Sequence, residues 1–123
     1  MPPETGRVMV VDDEALVRDL LHMFLVGEGY EVIAFASGTE ALGAVPAFRP
    51  DVILVDSRMP GLSGTDVLGE LRRTRVTVPV ILISGTPGRP GEGFFCALLK
   101  PFDLQTLAEV VGAAVNHKRS SNA

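Results

Sequence analysis

The side chains best suited to chemistry are three aspartates, a serine and a lysine, all placed where short apolar runs end. Asp12 and Asp13 follow the first run, Asp56 and Ser84 end two later runs, and Lys100 follows the last one. Three clustered carboxylates repel each other unless a cation neutralises them. No histidine or cysteine stands beside them, so these oxygen ligands favour Mg2+, which proteins commonly hold with carboxylates and phosphate oxygens. The pattern therefore points to phosphate chemistry.

Five short apolar segments must bring these side chains together. A continuous apolar run that stops at a polar residue is typical of a strand buried on both faces. Polar residues at the ends of such strands meet at the carboxyl edge of a parallel sheet. The predicted strands span residues 8–11, 30–35, 51–56, 80–84 and 96–99.

Segments with the apolar periodicity of a helix lie between most of these strands. The first helix is predicted to end near residues 27–29, the second to begin at the Ser37 cap and end before Pro46, the third to span 64–73 and the last to begin at an Asp103 cap. The predicted inward stripes are Leu16, Leu20 and Phe24 beside Val17 and Leu21 in the first helix, and Leu104, Leu107, Val110, Val111 and Val115 in the last.

Strands alternating with helices predict a doubly wound α/β domain with a parallel sheet. Residues 85–93 contain too many glycines and prolines for a regular helix, so a loop is predicted between the fourth and fifth strands. The domain is predicted to span residues 8–116, after an extension of residues 1–7 and before a flexible tail of residues 117–123.

Composition excludes several classes of function. The net charge of −4 argues against nucleic-acid binding, and the basic group Arg72, Arg73 and Arg75 is interpreted as a solvated helix end. No apolar stretch approaches the roughly 20 residues needed to cross a bilayer, which predicts no membrane association. Cys96 is the single cysteine and is expected to be a small apolar side chain; a cytoplasmic location is predicted.

Four motifs stand at the ends of predicted strands. They are Val11-Asp-Asp-Glu14, Asp56-Ser-Arg-Met-Pro-Gly-Leu-Ser-Gly64, Ile83-Ser-Gly85 and Lys100-Pro-Phe-Asp103. Alone, each has an ordinary explanation, such as a helix cap for Asp12 or a turn for Ser84. In register they are specific, and together they resemble the receiver domains of response regulators over roughly Val8 to Val115.

The resemblance implies a flavodoxin/CheY-like fold with five strands in the order 2-1-3-4-5, and a role for each site residue. Asp56 is implied as the phosphoacceptor. Ser84 and Lys100 are implied to contact the phosphoryl group, and the bond between Lys100 and Pro101 is expected to be cis. The implied ligands of Mg2+ are Asp12, Asp13, Asp56 and the backbone carbonyl of Arg58.

Two departures from the family pattern lie on the output side. Lys100 stands 16 residues after Ser84, a handful fewer than usual, which predicts that the family's fourth helix is reduced or replaced by the loop. Ala97 occupies a position where an aromatic residue is usual; Phe94 and Phe95 lie nearby but are interpreted as packing residues. A monomer or an unusual, phosphorylation-dependent dimer is therefore expected.

The predicted function is a phosphoacceptor switch of a two-component phosphorelay. Its partners would be a sensor histidine kinase or phosphotransfer protein and an unknown output partner. It would not be an enzyme beyond its own phosphoryl transfer and slow dephosphorylation. The alternative is a receiver-like interaction module whose output does not depend on phosphate. A phosphatase ranks last, because Arg58 stands where a second catalytic carboxylate would be needed, and His22 and His117 are interpreted as ordinary surface or packing residues.

Overall fold

A computed structural model describes residues 6–86 and 91–121. In chain order the elements are β1 Arg7–Val11, α1 Ala15–Gly27, β2 Glu31–Phe35, α2 Gly38–Phe48, β3 Val52–Asp56, α3 Gly64–Arg73, β4 Val80–Ser84, β5 Cys96–Leu99 and α4 Leu104–Ser121. The strands form one parallel sheet in the order β2-β1-β3-β4-β5, which confirms the predicted fold class.

The sheet is covered on both faces by helices, so the central strands β1 and β3 are almost wholly buried. One face packs against α1 and α4 around Val10, Leu54 and Leu107. The other packs against α2 and α3 around Val11, Val55 and Leu71. These short β-branched and aliphatic runs satisfy their backbone groups within the sheet and bury side chains on both sides, which fixes where each strand ends.

Three predictions about the helices need correction. The first helix buries Leu21 and Leu25, whereas Leu16 is 86% exposed and Leu20 49%. The predicted stripe was therefore wrong for Leu16 and Leu20, because α1 is apolar on more than one face and periodicity alone cannot select the buried one.

The second helix passes through Pro46 and ends at Phe48, so its predicted end was wrong. Pro46 lies in the last turn, where a missing amide costs one intrahelical hydrogen bond, and Val45 remains buried in the core. The last helix extends to Ser121, so the predicted tail is helical over residues 117–121. The other predicted tail residues, 122–123, and residues 1–5 of the predicted extension lie outside the described residues. Its final turn carries Lys118 and Arg119, which favour the carboxyl end of a helix.

The connection between β4 and β5 is not helical in the residues that the structure describes there, 85–86 and 91–95. The described residues form four helices, which agrees with the predicted loss or reduction of the family's fourth helix. On this side of β5, Ala97 packs at the edge of the core and Leu99 is 48% exposed. Among the described residues, no helix is both long and apolar enough to span a membrane.

Candidate functional site

The carboxyl ends of β1, β3 and β5 converge on a cluster of acids with one lysine. Asp12, Asp13 and Asp56 each place a carboxylate oxygen within 4.8 Å of the others. Asp12 is fully buried, Asp56 is 6% exposed, and Asp13 is exposed. Two of the three negative charges are thus largely removed from water, which is costly unless they are compensated.

Backbone contacts of Asp12 hold it firmly beneath the cluster. Its amide donates to the Phe35 carbonyl at 3.1 Å, and its Oδ1 accepts from the Glu14 amide at 2.9 Å. Its carbonyl accepts from Nη1 of Arg18 at 2.7 Å. Its second carboxylate oxygen, Oδ2, is buried and has no hydrogen-bond partner among the described residues. Burial raises the pKa of Asp12, and the charge of Asp56 adds to that rise against the Glu14 hydrogen bond.

Lys100 supplies the positive charge of the cluster. Its Nζ lies 3.2 Å from Oδ1 of Asp56, 3.3 Å from Oε1 of Glu14 and 3.8 Å from Oδ2 of Asp12. Burial alone would lower the pKa of Lys100, but the contact with Asp56 and the charge of Asp12 outweigh it, so the pKa is raised. Lys100 is therefore a fixed cation that three carboxylates share. The bond to Pro101 is cis, as expected.

The start of α3 packs tightly against the end of β3. A Cβ added to Gly64 would lie 2.9 Å from the carbonyl oxygen of Asp56, so the helix approaches the strand more closely than any other residue allows. The Ser63 side chain accepts from the Asp66 amide, and the Asp66 carboxylate accepts from the Ser63 amide. This capping box fixes the helix start beside the Asp56 backbone.

Ser84 and Arg58 are less engaged than the acids. The Ser84 hydroxyl donates to the Thr86 carbonyl and accepts from the Thr86 amide, both at 3.1 Å, so it closes a turn at the beginning of the connecting loop. Its carbonyl accepts from the Lys100 amide at 2.7 Å, which ties the ends of β4 and β5 together. The Arg58 side chain is exposed in the segment after β3.

Two residues of the site, Glu14 and Arg18, were not predicted from the sequence. Glu14 contacts Lys100, and Arg18 holds the carbonyl of Asp12. The signal was present, since Glu14 directly follows the paired aspartates and Arg18 lies one helical turn later, on the same side of α1.

The acids also fit a hard cation. Mg2+ prefers oxygen ligands and accepts one or two carboxylates while keeping several waters. The buried Oδ2 of Asp12 is an oxygen ligand of this kind that accepts no hydrogen bond from the described residues, and the facing oxygens of Asp13 and Asp56 complete an all-oxygen donor set. The donor chemistry and the orphaned oxygen therefore suit Mg2+.

Comparison with known proteins agrees with this fold and identifies the family. The family model described as the response regulator receiver domain matches residues 8–112, so the chain belongs to that family, whose members are signalling switches of two-component systems. It is 33% identical over 120 residues to the DNA-binding transcriptional regulator NtrC of Salmonella typhimurium, covering 93% of this chain and 26% of that protein. The chain thus spans about a quarter of the length of such relatives.

Two solved structures illustrate the similarity. The response regulator TrrA of Thermotoga maritima, solved in complex with Mg2+-BeF, is 32% identical with a TM-score of 0.81, covering 89% of this chain and 99% of that one. A receiver domain from Methanospirillum hungatei has a TM-score of 0.86 at 23% identity, covering 96% of this chain and 99% of that one, and shows the fold alone.

Proposed function

We propose that this domain accepts a phosphoryl group on Asp56 from the phosphohistidine of a sensor histidine kinase or a phosphotransfer protein. The observation that carries the proposal is the position of Lys100, whose Nζ lies 3.2 Å from Oδ1 of Asp56 beside two further carboxylates. A lysine held there pairs with Asp56 before transfer and can pair with phosphoryl oxygens after it. A structural ion pair would not need Asp12 and Asp13 as well.

The transfer needs no general base, because an aspartate is ionised at neutral pH. A carboxylate oxygen of Asp56 forms a bond to phosphorus as the bond between phosphorus and the donor imidazole nitrogen breaks. The electron pair of that bond stays on the nitrogen. Positioning and charge neutralisation then provide the catalysis, and Lys100 contributes both.

Asp12, Asp13, Asp56 and the Arg58 carbonyl would hold Mg2+. When bound, the ion supplies positive charge to the phosphoryl oxygens and relieves repulsion among the carboxylates. Hydrogen bonds with Phe35, Glu14 and Arg18 hold Asp12 in position among these ligands.

Phosphorylation would act outward through Ser84. Its hydroxyl is now paired with Thr86, so contact with a phosphoryl oxygen requires it to leave that turn and move the start of the loop. Partners on the output side then recognise a changed loop surface between β4 and β5.

Intact-mass analysis after incubation with a small phosphodonor and Mg2+ tests the proposal. Wild-type protein is expected to gain the mass of one phosphoryl group, and Asp56→Asn none. Asp19→Asn, which changes an exposed acid on α1, serves as the matched control and should behave as wild type. A wild-type protein that gains no phosphoryl mass, or an Asp56→Asn variant that gains the same mass, contradicts the proposal.

The alternative is an interaction module with phosphate-independent output, which the small Ala97 side chain and the non-helical residues around the loop favour. The two functions differ in one measurement. Affinity for an output partner should change on phosphorylation if the domain is a switch, and should be the same for wild type and Asp56→Asn if it is a module.

A further inference from the structure

A cleft of about 1020 Å3 lies at the amino ends of the strands, on the edge of the sheet opposite to the acids. Arg7 begins β1, Glu31 begins β2, and Asp51 precedes β3. The carboxyl ends of α2 and α4 form the other walls. With five residues each in β1 and β3 at roughly 3.3 Å per residue, about 16 Å of sheet separates the cleft from Asp56.

The cleft concentrates positive charge on a domain that is acidic as a whole. Its cations come from three separate segments of the chain, so the fold assembles them; they are Arg7, Arg49, Lys118 and Arg119, set against the acids Glu31 and Asp51. The net charge of the chain is −4, so this local excess of cations runs against the average.

One of the two acids is already engaged. The Asp51 carboxylate accepts from the Arg7 amide at 2.8 Å, and the same oxygen lies 3.9 Å from Nη2 of Arg119. The Arg7 side chain donates through Nε to the Arg49 carbonyl at 3.3 Å, which holds the two arginines side by side. Asp51 therefore organises the wall of the cleft and offsets only part of its charge.

Two cations of the cleft have no such engagement. Within residues 6–86 and 91–121, the Arg49 guanidinium and the Lys118 ammonium make no hydrogen bond or ion pair. Arg49 is also the αL residue that ends α2, with φ of 54°, a position that favours glycine or asparagine. An arginine there provides a charge at the rim of the cleft where the backbone alone would favour a smaller residue.

We propose that this cleft binds a nucleotide-sized anion that carries two or more phosphate groups. Arginine and lysine are the side chains that recognise phosphate oxygens, and several of them together suit a multiply charged ligand. Val45, Pro46 and Val76 form an apolar wall beside the cations, which suits a ring attached to the phosphates. The cleft volume of about 1020 Å3 lies just above the roughly 300–1,000 Å3 range of ligand pockets.

Isothermal titration calorimetry with the full chain, in buffer containing EDTA so that no metal occupies the acids, tests the proposal. The probes are inorganic tripolyphosphate, a nucleoside triphosphate and the uncharged nucleoside. The nucleoside triphosphate is expected to bind most tightly, tripolyphosphate more weakly, and the nucleoside without detectable heat. Equal affinity for tripolyphosphate and the nucleoside triphosphate would overturn the nucleotide assignment.

The chain offers a matched pair of variants. Arg49→Asn and Arg75→Asn each remove one arginine from an αL position, with φ of 54° and 65°, and asparagine tolerates that conformation, so both should fold. Only Arg49 lines the cleft. Arg49→Asn and Lys118→Gln are each expected to weaken binding about tenfold, as loss of one charge-assisted contact does, and Arg75→Asn by less than about twofold.

Three results contradict the site. Absence of binding at millimolar nucleoside triphosphate would show that the cations form only a solvated rim, which the helix dipoles of α2 and α4 favour. Equal weakening by Arg49→Asn and Arg75→Asn would show nonspecific attraction. Binding that is lost in Lys100→Gln but kept in Arg49→Asn would place the anion at the acid cluster instead. None of these results depends on phosphorylation of Asp56.

Discussion

Replacing the buried aspartate tests whether the acid cluster is strained without metal. Asp12 is fully buried, and its Oδ2 has no hydrogen-bond partner among the described residues. In Asp12→Asn the charge disappears while the size of the side chain is kept, and the new amide can donate to the neighbouring Asp56 carboxylate. Lys100 loses only the longest of its three ion pairs, at 3.8 Å, and keeps those with Asp56 and Glu14. We expect the metal-free variant to be more stable than the metal-free wild type.

The size of the effect follows from the burial of that oxygen. Leaving a buried polar group unpaired costs about 1–3 kcal/mol. For 123 residues, an unfolding entropy of about 2.1 cal/mol/K per residue converts each kcal/mol into about 4 °C of Tm. The Tm of Asp12→Asn should therefore rise by about 4–12 °C. The exposed Asp13 provides the control, and Asp13→Asn should change stability by less than about 0.5 kcal/mol.

The pH dependence gives a second check on the same residue. Burial raises the pKa of Asp12 above its ordinary value of 3.8. Because the pKa of Asp12 is raised in the folded state, protonated Asp12 stabilises the fold fully at pH values below the ordinary pKa. This stabilisation is lost as the pH rises through the raised pKa. In thermal melts with EDTA, the difference in Tm between Asp12→Asn and wild type should therefore grow from acidic to neutral pH.

Added Mg2+ should stabilise wild type, because the ion binds the folded state. The Tm of wild type should then lie closer to that of Asp12→Asn. A metal-free Asp12→Asn variant that melts below wild type at neutral pH would refute the reasoning. So would an advantage that shrinks between acidic and neutral pH.

The remaining predictions concern the elements that hold the site. Gly64→Ala should lose about 1–3 kcal/mol in urea unfolding, because its Cβ would lie 2.7 Å from Cδ1 of Leu82 and 2.9 Å from the Asp56 carbonyl, whereas Gly69→Ala, with nothing within 4 Å, should gain about 0.5–1 kcal/mol; equal effects would contradict the close packing. A backbone hydrogen bond lowers the pKa of Asp103, so its stabilising contribution is present above the ordinary pKa and lost as pH falls through the lowered one. Asp103→Asn should remove this step from acid melts, and an unchanged acid profile would contradict it.

Local sequence signals were sufficient to locate the strands, whereas their order in the sheet came from the family resemblance. The runs at 80–84 and 96–99 coincide with β4 and β5, and the predicted third helix coincides with α3. Each of these segments carries one dominant signal: a continuous apolar run bounded by breakers, or a helix with a single buried stripe and a capping serine. Where one local signal dominates, tertiary packing favours the same secondary structure as that signal.

The errors occurred where two signals competed. Leu16, Leu20 and Met23 form one apolar stripe of α1, and Leu21 and Leu25 form another, so periodicity fits both and only packing against the sheet selects the second. Pro46 is a helix breaker, yet burial of Val45 outweighs its lost hydrogen bond. Likewise, the contacts of Glu14 and Arg18 depend on the start of α1, which the sequence places only approximately.

The proposed phosphoacceptor site and the proposed output surface depend on different parts of the chain. Asp12 and Asp56 stand at the ends of β1 and β3, strands paired on both sides and buried on both faces, and Lys100 is tied through its amide to the end of β4. The described residues of the connecting loop, 85–86 and 91–95, contribute none of these contacts. The ion pair of Lys100 with Asp56 is therefore in place although these loop residues are not helical, and Leu99 of β5 is 48% exposed. The loop between β4 and β5, the proposed output surface, can therefore differ in sequence without moving Asp56 and Lys100, the proposed phosphoacceptor and its cation.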